Sequence, residues 1–264
     1  MATDLFPHLR FAALTDIGRV RRRNEDAILA APQYAVFGVC DGLGGADGGQ
    51  EASRIIVQTV EEALSQPSLP FVLSKGDEAD VARFQARVLT VVQAIGEAGR
   101  RIRLHAARHR YRGMGSTATF LLFAEAAARR ATLLHVGDTL AFRLRGDRLE
   151  RLFEPHCVEV EYGPKAEGLP HYMRTLLTRA VGIREHEQLE PTPVDVAPGD
   201  VFLVASDGLT NMVPAIGIAE RLAPARTRGP AEAAQALVDA ANAGGGRDNI
   251  SIVVVVVHPP DGAA

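Results

Sequence analysis

Residues 248–257 read DNISIVVVVV, in which a run of strand-forming residues begins directly after Asp248 and Asn249. A short, unbroken run of β-branched residues is typical of a buried strand. Three more such runs adjoin an aspartate, namely YAVFGVC before Asp41, ATLLHV before Gly137-Asp138, and DVFLVA before Ser206-Asp207. A carboxylate at the end of a buried strand is unfavourable unless a positive group meets it. If the four ends converge, each close pair repels by about 4 kcal/mol, and divalent cations are the usual remedy.

The composition is that of an ordinary globular protein. Of its 264 residues, 47% are hydrophobic and 23% are charged, and the net charge of −3 provides no overall field for nucleic acid or an anionic membrane. Cys40 and Cys157 offer no disulfide framework and suggest a reducing compartment. The apolar run 252–257 is too short to span a bilayer, and the N-terminus lacks a signal pattern. We therefore expect a cytoplasmic protein that binds neither nucleic acid nor membranes.

The predicted order of elements favours an α+β fold. Apolar periodicity indicates a helix over 50–64 and another over about 78–110, whose length suggests that a loop is included. Strands are predicted at 10–15, 27–31, 34–40, 116–123, 131–136, 140–144, 148–152, 195–205 and 250–257, and further helices at 214–223 and 230–242. The stretches 66–75 and 154–173 predict a loop and a mobile surface segment. Because helices and strands do not alternate strictly, a layered sandwich in one domain fits better than a doubly wound sheet.

Glu25 and Asp26 add two carboxylates within the basic stretch RVRRRNEDA. Oxygen ligands without a His or Cys cluster select Mg²⁺ or Mn²⁺ over zinc. Two such ions roughly 4 Å apart activate a shared water and stabilise an oxyanionic leaving group, which suits phosphoester hydrolysis. The phosphate also needs a cation, and Arg21, Arg22 and Arg23 stand nearby. For any single aspartate beside glycine, a turn is the simpler interpretation.

Seven motifs follow one another along the chain: TDIGRVRRRNED (15–26), VCDGLGG (39–45), GMGSTAT (113–119), HVGD (135–138), LTRAVG (177–182), SDGL (206–209) and GGRDNISIVVV (245–255). Together they resemble the PP2C-type, metal-dependent serine/threonine protein phosphatases. The resemblance implies a four-layer α-β-β-α sandwich of two antiparallel sheets flanked by helix pairs, in a single domain over 1–264 with a structured core over about 8–258. It also implies a bacterial, stand-alone, monomeric enzyme that dephosphorylates phosphoserine and phosphothreonine in proteins and opposes a serine/threonine kinase.

When the motifs are compared with the family position by position, the resemblance implies two core ions, Mn²⁺ or Mg²⁺. Asp41 matches the carboxylate that bridges both ions, and Gly42 matches the residue whose carbonyl binds one of them. Glu25 would share that ion, mostly through water. Asp207 and Asp248 would hold the other ion.

The resemblance also implies roles around these two ions. Asp138 and Asp207 match the ligands of a third, labile ion in bacterial members. Arg21 falls where the family has its phosphate-binding arginine, so Arg21, Asp41 and Asp207 are the predicted catalytic residues. Asp26 and Asn249 would orient metal-bound waters.

The chain departs from the family pattern near the substrate. Relatives carry a substrate-facing flap at about 154–176, and this stretch is compact here. Leu43 stands where some members have a histidine that protonates the leaving group, which leaves a metal-bound water or His156 for that role.

Other functions are weighed against the metal-dependent phosphatase. The Cys-x5-Arg nucleophile loop is absent, because Ala46 and Gly163 occupy the sixth position after Cys40 and Cys157. A non-catalytic phospho-sensing scaffold on the same fold usually lacks metal carboxylates, and all of them are present here. A hydrolase of small phosphoesters stays open.

Residues 100–112 form a basic stretch with six arginines and two histidines. His105 and His109 lie one helical turn apart, but their cationic surroundings argue against a zinc site. A solvated helix face is the simplest explanation, and a docking site for an acidic or phosphorylated partner is the alternative. Reversal of Arg108 and Arg110 would distinguish the two.

Overall fold

The computed structural model describes residues 6–44, 48–66, 77–124, 129–187 and 189–259. The run 250–257 forms a central strand that pairs with a neighbour on both edges, and its side chains are buried along its whole length because both of its faces are packed. Its five-stranded sheet contains, in spatial order, β1 (Leu9–Asp16), β11 (Ile250–Val257), β10 (Val201–Ala205), β7 (Leu140–Arg145) and β8 (Arg148–Arg151).

A second, six-stranded sheet is built from the remaining strands. It contains, in spatial order, β2 (Asp26–Ala31), β3 (Val36–Leu43), β5 (Ala118–Phe123), β6 (Arg130–Val136) and β9 (Thr192–Asp195), and β4 (Gly115–Ser116) pairs with the end of β3. Every strand pair within the described residues is antiparallel. Antiparallel strands suit a sheet whose successive members are joined by short turns.

Helices cover the outer face of each sheet. The helices of the described residues are α1 (Gly48–Ser65), α2 (Asp77–His109), α3 (Val158–Tyr162), α4 (His171–Arg174), α5 (Asp207–Thr210), α6 (Ala215–Leu222), α7 (Ala225–Arg228) and α8 (Pro230–Ala243). One apolar core lies between the six-stranded sheet and α1 and α2, and another lies between the five-stranded sheet and α6 and α8. The third core joins the two sheets, where the rings of Phe37 and Phe202 lie 6.1 Å and 5.3 Å from that of Phe123. The predicted four-layer sandwich is confirmed.

Some predicted elements differ in detail. Helix α2 is continuous from Asp77, so the loop expected within it is wrong. The strand predicted over 116–123 is divided at Thr117, and the strand predicted over 195–205 is two strands, β9 and β10. The segment 154–173 contains α3, the first residues of α4 and a 3-10 turn at Gly163–Ala166. The predicted loop 66–75 lies outside the described residues except for Gln66.

Across the described ranges, no helix combines the length and apolarity needed to cross a bilayer.

Candidate metal centre

The predicted carboxylates lie at one end of the sandwich. Asp41 belongs to the last part of β3, and Asp138 follows β6, so both come from the six-stranded sheet. Asp207 begins α5 directly after β10, and Asp248 precedes β11, so these two come from the five-stranded sheet. The pairing of β2 with β3 places Asp26 opposite Asp41. Both sheets therefore contribute acidic residues to the same place.

These carboxylates are close enough to change one another's ionisation. Burial raises the pKa of Asp41 well above its usual value, and the charges of Asp26, Asp207, Asp138 and Asp248 raise it further. Burial also raises the pKa of Asp138 to about 7, with an added contribution from Asp207. Like charges that share a site disfavour each other's ionised form. The structure thus brings the four strand ends together.

The backbone of Asp41 is held by the junction of β4 and β5. The Asp41 N–H donates to Thr117 Oγ1 over 2.8 Å, and the Asp41 carbonyl accepts from the Thr117 N–H at 2.8 Å and from Ser116 Oγ at 2.9 Å. Thr117 Oγ1 lies 2.6 Å from Thr139 Oγ1, next to Asp138. This network fixes Asp41 relative to the loop that carries Asp138.

Gly42 and Glu25 meet at the start of α1. A Cβ on Gly42 would lie 2.1 Å from the carbonyl oxygen of Gly49, so the helix can approach this strand only beside glycine. The carbonyl of Glu25 accepts from the Gly42 N–H at 3.1 Å and from Ser53 Oγ at 2.6 Å. Burial raises the pKa of Glu25, whereas the charge of Arg21 lowers it. Glu25 therefore belongs to the same electrostatic cluster.

Asp207 and Asp248 are neighbours because α5 packs against the start of β11. A Cβ on Gly208 would lie 1.9 Å from the carbonyl oxygen of Asn249, so this approach also requires glycine. Burial raises the pKa of Asp207, and the charge of Asp248 raises it further. Arg21 Nη2 donates to Asp248 Oδ2 over 2.5 Å, and about half of the Arg21 side chain (51%) is exposed. The predicted phosphate-binding arginine thus stands at the edge of the acidic cluster.

Asp26 and Asn249 lie behind the carboxylates. Ser206 Oγ donates to Asp26 Oδ2 over 2.9 Å, whereas the buried Asp26 Oδ1 finds no partner among the described residues. Burial raises the pKa of Asp26 to about 6. Asn249 bonds to backbone groups of the loop that carries Arg21 and Glu25, including the Glu25 N–H at 2.8 Å. Asn249 thus positions this loop, and its predicted role toward metal-bound waters stays a prediction.

A cavity of about 460 Å³ opens beside these residues. Asp138, Asp207 and Asp248 line one side of it. Pro155, Cys157 and Thr175, from the segment between β8 and β9, line another side. The segment that the sequence placed near the substrate therefore borders the acidic cluster.

The donor set fits a hard divalent cation. Its side-chain donors are carboxylate oxygens, which Mg²⁺ and Mn²⁺ prefer, and their mutual repulsion falls when a cation binds. In the part of the chain that the structure describes, no three His, Cys, Asp or Glu side chains already have the spacing of an ion cage. Two of the carboxylates face other donors, because Asp248 contacts Arg21 and Asp207 Oδ2 accepts from Asn211 Nδ2 at 3.0 Å. A bound cation would replace these contacts.

Comparison with known proteins identifies the family of this chain. A profile described as protein phosphatase 2C matches residues 19–240. The chain belongs to the protein phosphatase 2C family. The serine/threonine phosphatase Stp of Listeria innocua is 29% identical to it, over 91% of this chain and 93% of the relative.

Solved structures of other proteins are similar to this chain in fold and in sequence. PppA of Pseudomonas aeruginosa is 29% identical, with a TM-score of 0.79 over 96% of this chain and 99% of the other. The catalytic domain of the serine/threonine phosphatase PstP, solved in complex with two manganese ions, is 26% identical, with a TM-score of 0.75 over 95% and 99%. The protein is therefore a metal-dependent serine/threonine protein phosphatase.

The phosphatase also contains supporting residues to which the sequence assigned no role. Thr117 and Ser206 lie within the motifs GMGSTAT and SDGL, yet only the fold shows that they bond to Asp41 and Asp26. Their partners are 76 and 180 residues away in the chain, so no local pattern could have identified them. The only signal in the sequence was a hydroxyl residue within each of these glycine-containing motifs.

His156 does not suit the role of a general acid in the phosphatase. The ring atom Nδ1 accepts from the Gly137 N–H at 3.1 Å, and the backbone N–H of His156 donates to the Gly137 carbonyl at 2.9 Å. Burial, followed by the charge of Arg179, lowers the pKa of His156 to about 4. The ring is therefore neutral near pH 7 and anchors the segment after β8 to the loop that carries Asp138.

Proposed function

We propose that this phosphatase hydrolyses phosphoserine and phosphothreonine monoesters of proteins at the acidic cluster. Two Mn²⁺ or Mg²⁺ ions would be held here, with Asp41 contributing to both sites. Asp207 and Asp248 would complete one site, and Glu25 and the Gly42 carbonyl would complete the other. The observation that carries this proposal is the convergence of carboxylates from both sheets, which raise one another's pKa.

A third, more labile ion and the substrate phosphate would bind at the rim of the cluster. Asp138 and Asp207 would hold the third ion, because both line the cavity and Asp207 raises the pKa of Asp138. Arg21 binds the phosphate. Its guanidinium is half exposed and presents paired N–H donors that match phosphate oxygens.

The chain's own residues organise the reaction around these ions. Divalent ions at this site, when bound, activate water near neutral pH and stabilise negative charge on the leaving oxygen. Thr117 and Ser116 hold Asp41 in place, and Asn249 holds the loop of Arg21 and Glu25. Neither Leu43 nor the neutral His156 supplies a proton, so the leaving oxygen takes its proton from water.

No side chain acts as the nucleophile, so hydrolysis is direct and forms no phosphoenzyme. Cys40 is fully buried within β3, and burial raises the pKa of its thiol. A buried, protonated thiol is a poor nucleophile. Cys157 lines the cavity but has no arginine at the sixth following position.

Substitution of the shared ligand tests the proposal. Asp207→Asn should lower kcat on a phosphothreonine peptide with Mn²⁺ by roughly a thousandfold, because several kcal/mol of charge stabilisation is lost. Asp138→Asn should lower the rate by about tenfold at limiting Mn²⁺ and recover at high Mn²⁺. Titration calorimetry with Mn²⁺ alone should show weaker binding for both variants.

Asp147→Asn is the matched control, because Asp147 lies in the exposed turn between β7 and β8 at the far end of the sheet. It should retain the activity and Mn²⁺ affinity of the parent. Turnover of Asp207→Asn at the parental rate, or parental activity that survives a chelator, would refute the proposal.

The phosphatase acts, on this proposal, as a cytoplasmic, single-domain monomer that opposes a serine/threonine kinase. The shared apolar core between the two sheets supports a single domain, and the small number of cysteines suits a reducing compartment. Light scattering behind a sizing column should give the mass of one chain, 28.2 kDa. A stable dimer would contradict the monomer and leave the chemistry untouched.

A further inference from the structure

The basic stretch at the end of α2 divides into two parts with different surroundings. Arg100 binds Glu97 at 2.7 Å, and Arg101 binds Glu62 of α1 at 2.7 Å, so these two arginines stabilise the helix pair. Arg108, Arg110 and Arg112, here termed the basic ridge, are exposed. None of these three forms an ion pair with another described residue.

Helix capping does not account for the whole ridge. Basic residues favour the last turn of a helix, which explains Arg108. The end of α2 is closed by backbone groups, since the Tyr111 N–H donates to the Ala106 carbonyl at 3.0 Å and Arg110 has a φ of 59°. Arg112 lies beyond this closure. The helix dipole therefore does not account for its charge.

The ridge leads directly into the metal centre. Arg112 precedes Ser116 by four residues, and β4 pairs Ser116 with Gly42. A four-residue span covers at most about 14 Å, even when fully extended. Ser116 Oγ donates to the Asp41 carbonyl. The ridge thus lies within a short peptide's length of the proposed bridging carboxylate.

Stacked rings order the ridge before any partner binds. The ring of His109 lies 4.3 Å from that of His105 and 5.7 Å from that of Tyr111. A surface that is already ordered loses less conformational entropy on binding. Exposed guanidinium groups in such a setting favour carboxylates.

We propose that the basic ridge docks acidic residues of the phosphoprotein substrate, about four to six positions from the phosphorylated residue. The proposal rests on the function proposed above, because it requires the phosphoryl group to sit at the acidic cluster. An extended peptide rises about 3.3 Å per residue, so four to six positions cover about 13–20 Å. This length matches the span of up to about 14 Å from Arg112 to Ser116 together with the reach of an arginine side chain. The ridge contributes to substrate selection and leaves the chemical step unchanged.

A pair of phosphothreonine peptides tests the docking. One carries glutamates four to six positions away on both sides, and the other carries glutamines there. The parent should prefer the glutamate peptide about tenfold in kcat/KM, which equals about 1.4 kcal/mol. Arg108→Glu with Arg112→Glu should abolish this preference while turnover of an aryl phosphate is retained. Arg110 is left unchanged because it closes the helix.

A double reversal elsewhere controls for net charge. Arg10→Glu with Arg148→Glu makes the same charge change on exposed residues at the far end of the five-stranded sheet. This control should keep the parental preference. About 0.5 M salt should reduce the preference in the parent, since exposed charges are then screened.

The possible outcomes separate the two proposals. Three results would overturn the docking proposal alone. The parent could act on both peptides at the same rate, the ridge variant could keep the preference for the glutamate peptide, or the control variant could lose that preference to the same extent. A parent without Mn²⁺-dependent activity on any phosphoester would instead overturn the proposed function. If the ridge variant melts at a lower temperature, Arg108→Gln with Arg112→Gln should still abolish the preference.

Discussion

At the scale of single residues, Asn249 shows how one amide supports the metal centre. Its Oδ1 accepts from the Glu25 N–H, and its Nδ2 donates to the carbonyls of Ile17 at 3.0 Å and Arg23 at 2.8 Å. Asn249 is buried, so its amide is held where it makes these three bonds. A carboxylate could not make the two donations. The amide therefore sets the position of the loop that carries Arg21 and Glu25.

Asn249→Ala should destabilise the metal-free protein by about 2–3 kcal/mol, because the substitution removes three hydrogen bonds that hold the loop. It should also raise KM more than it lowers kcat, since the phosphate-binding loop loses its position. Urea unfolding in chelator measures the first effect, and steady-state kinetics with Mn²⁺ measure the second.

Gln235→Ala is the matched control on the exposed face of α8, where the amide donates to Asp239. It should change the unfolding free energy by no more than about 0.5 kcal/mol. Identical urea midpoints for Asn249→Ala and the parent would show that the loop does not depend on this amide.

At the scale of elements, the helices and strands with long apolar patterns were predicted from the sequence, and several short ones were not. Helix α1 and strand β11 contain enough apolar residues for a period or an unbroken run to be evident. Strand β9 is four residues long, contains Pro193, and has one buried side chain, so it resembles a turn. Helices α3 and α4 are too short to show a helical period. Tertiary contacts, which no local pattern records, decide such elements.

The segment after β8 is joined to β6 through stacked rings. The His135 ring lies 3.7 Å from that of Phe153 and 4.5 Å from that of His156. Burial, followed by the charges of His156 and Arg179, lowers the pKa of His135 to about 4. The folded protein therefore keeps this ring neutral at pH values where the unfolded chain, with a pKa near 6.5, already binds a proton.

His135→Phe should reduce the acid sensitivity of the fold. The neutral ring contributes stability above about pH 6.5, and this contribution is lost as the pH falls toward 4. Phenylalanine keeps the stacking and cannot titrate. Between pH 7.5 and pH 5 the parent should lose on the order of 1 kcal/mol more than the variant, after allowance for solvent screening. Urea unfolding in chelator at both pH values measures this difference. An equal or larger loss in the variant would contradict it.

At the scale of the whole molecule, the carboxylates were predictable but their surroundings were not. Each aspartate stands beside a strand-like run, so its place at a strand end follows from the sequence. The ion pair of Arg21 with Asp248 joins residues 227 positions apart, and the bond of Ser206 to Asp26 spans 180. Such contacts arise only when both sheets are stacked. The resemblance to the family assigned roles to Arg21, Asp26 and Asp248 without revealing these contacts.

Because the acidic cluster draws on both sheets, cations bound there should cross-link the two halves of the sandwich. Binding at about 100 times Kd adds roughly 2.7 kcal/mol to the unfolding free energy, which corresponds to a rise in Tm of about 5–10 °C for a protein of this size. Thermal melting in Mn²⁺ and in chelator measures this shift. Asp207→Asn should lose most of the shift, because the proposed shared ligand is gone, whereas Asp147→Asn should keep it. An equal shift in both variants would mean that Mn²⁺ stabilises the fold from another site.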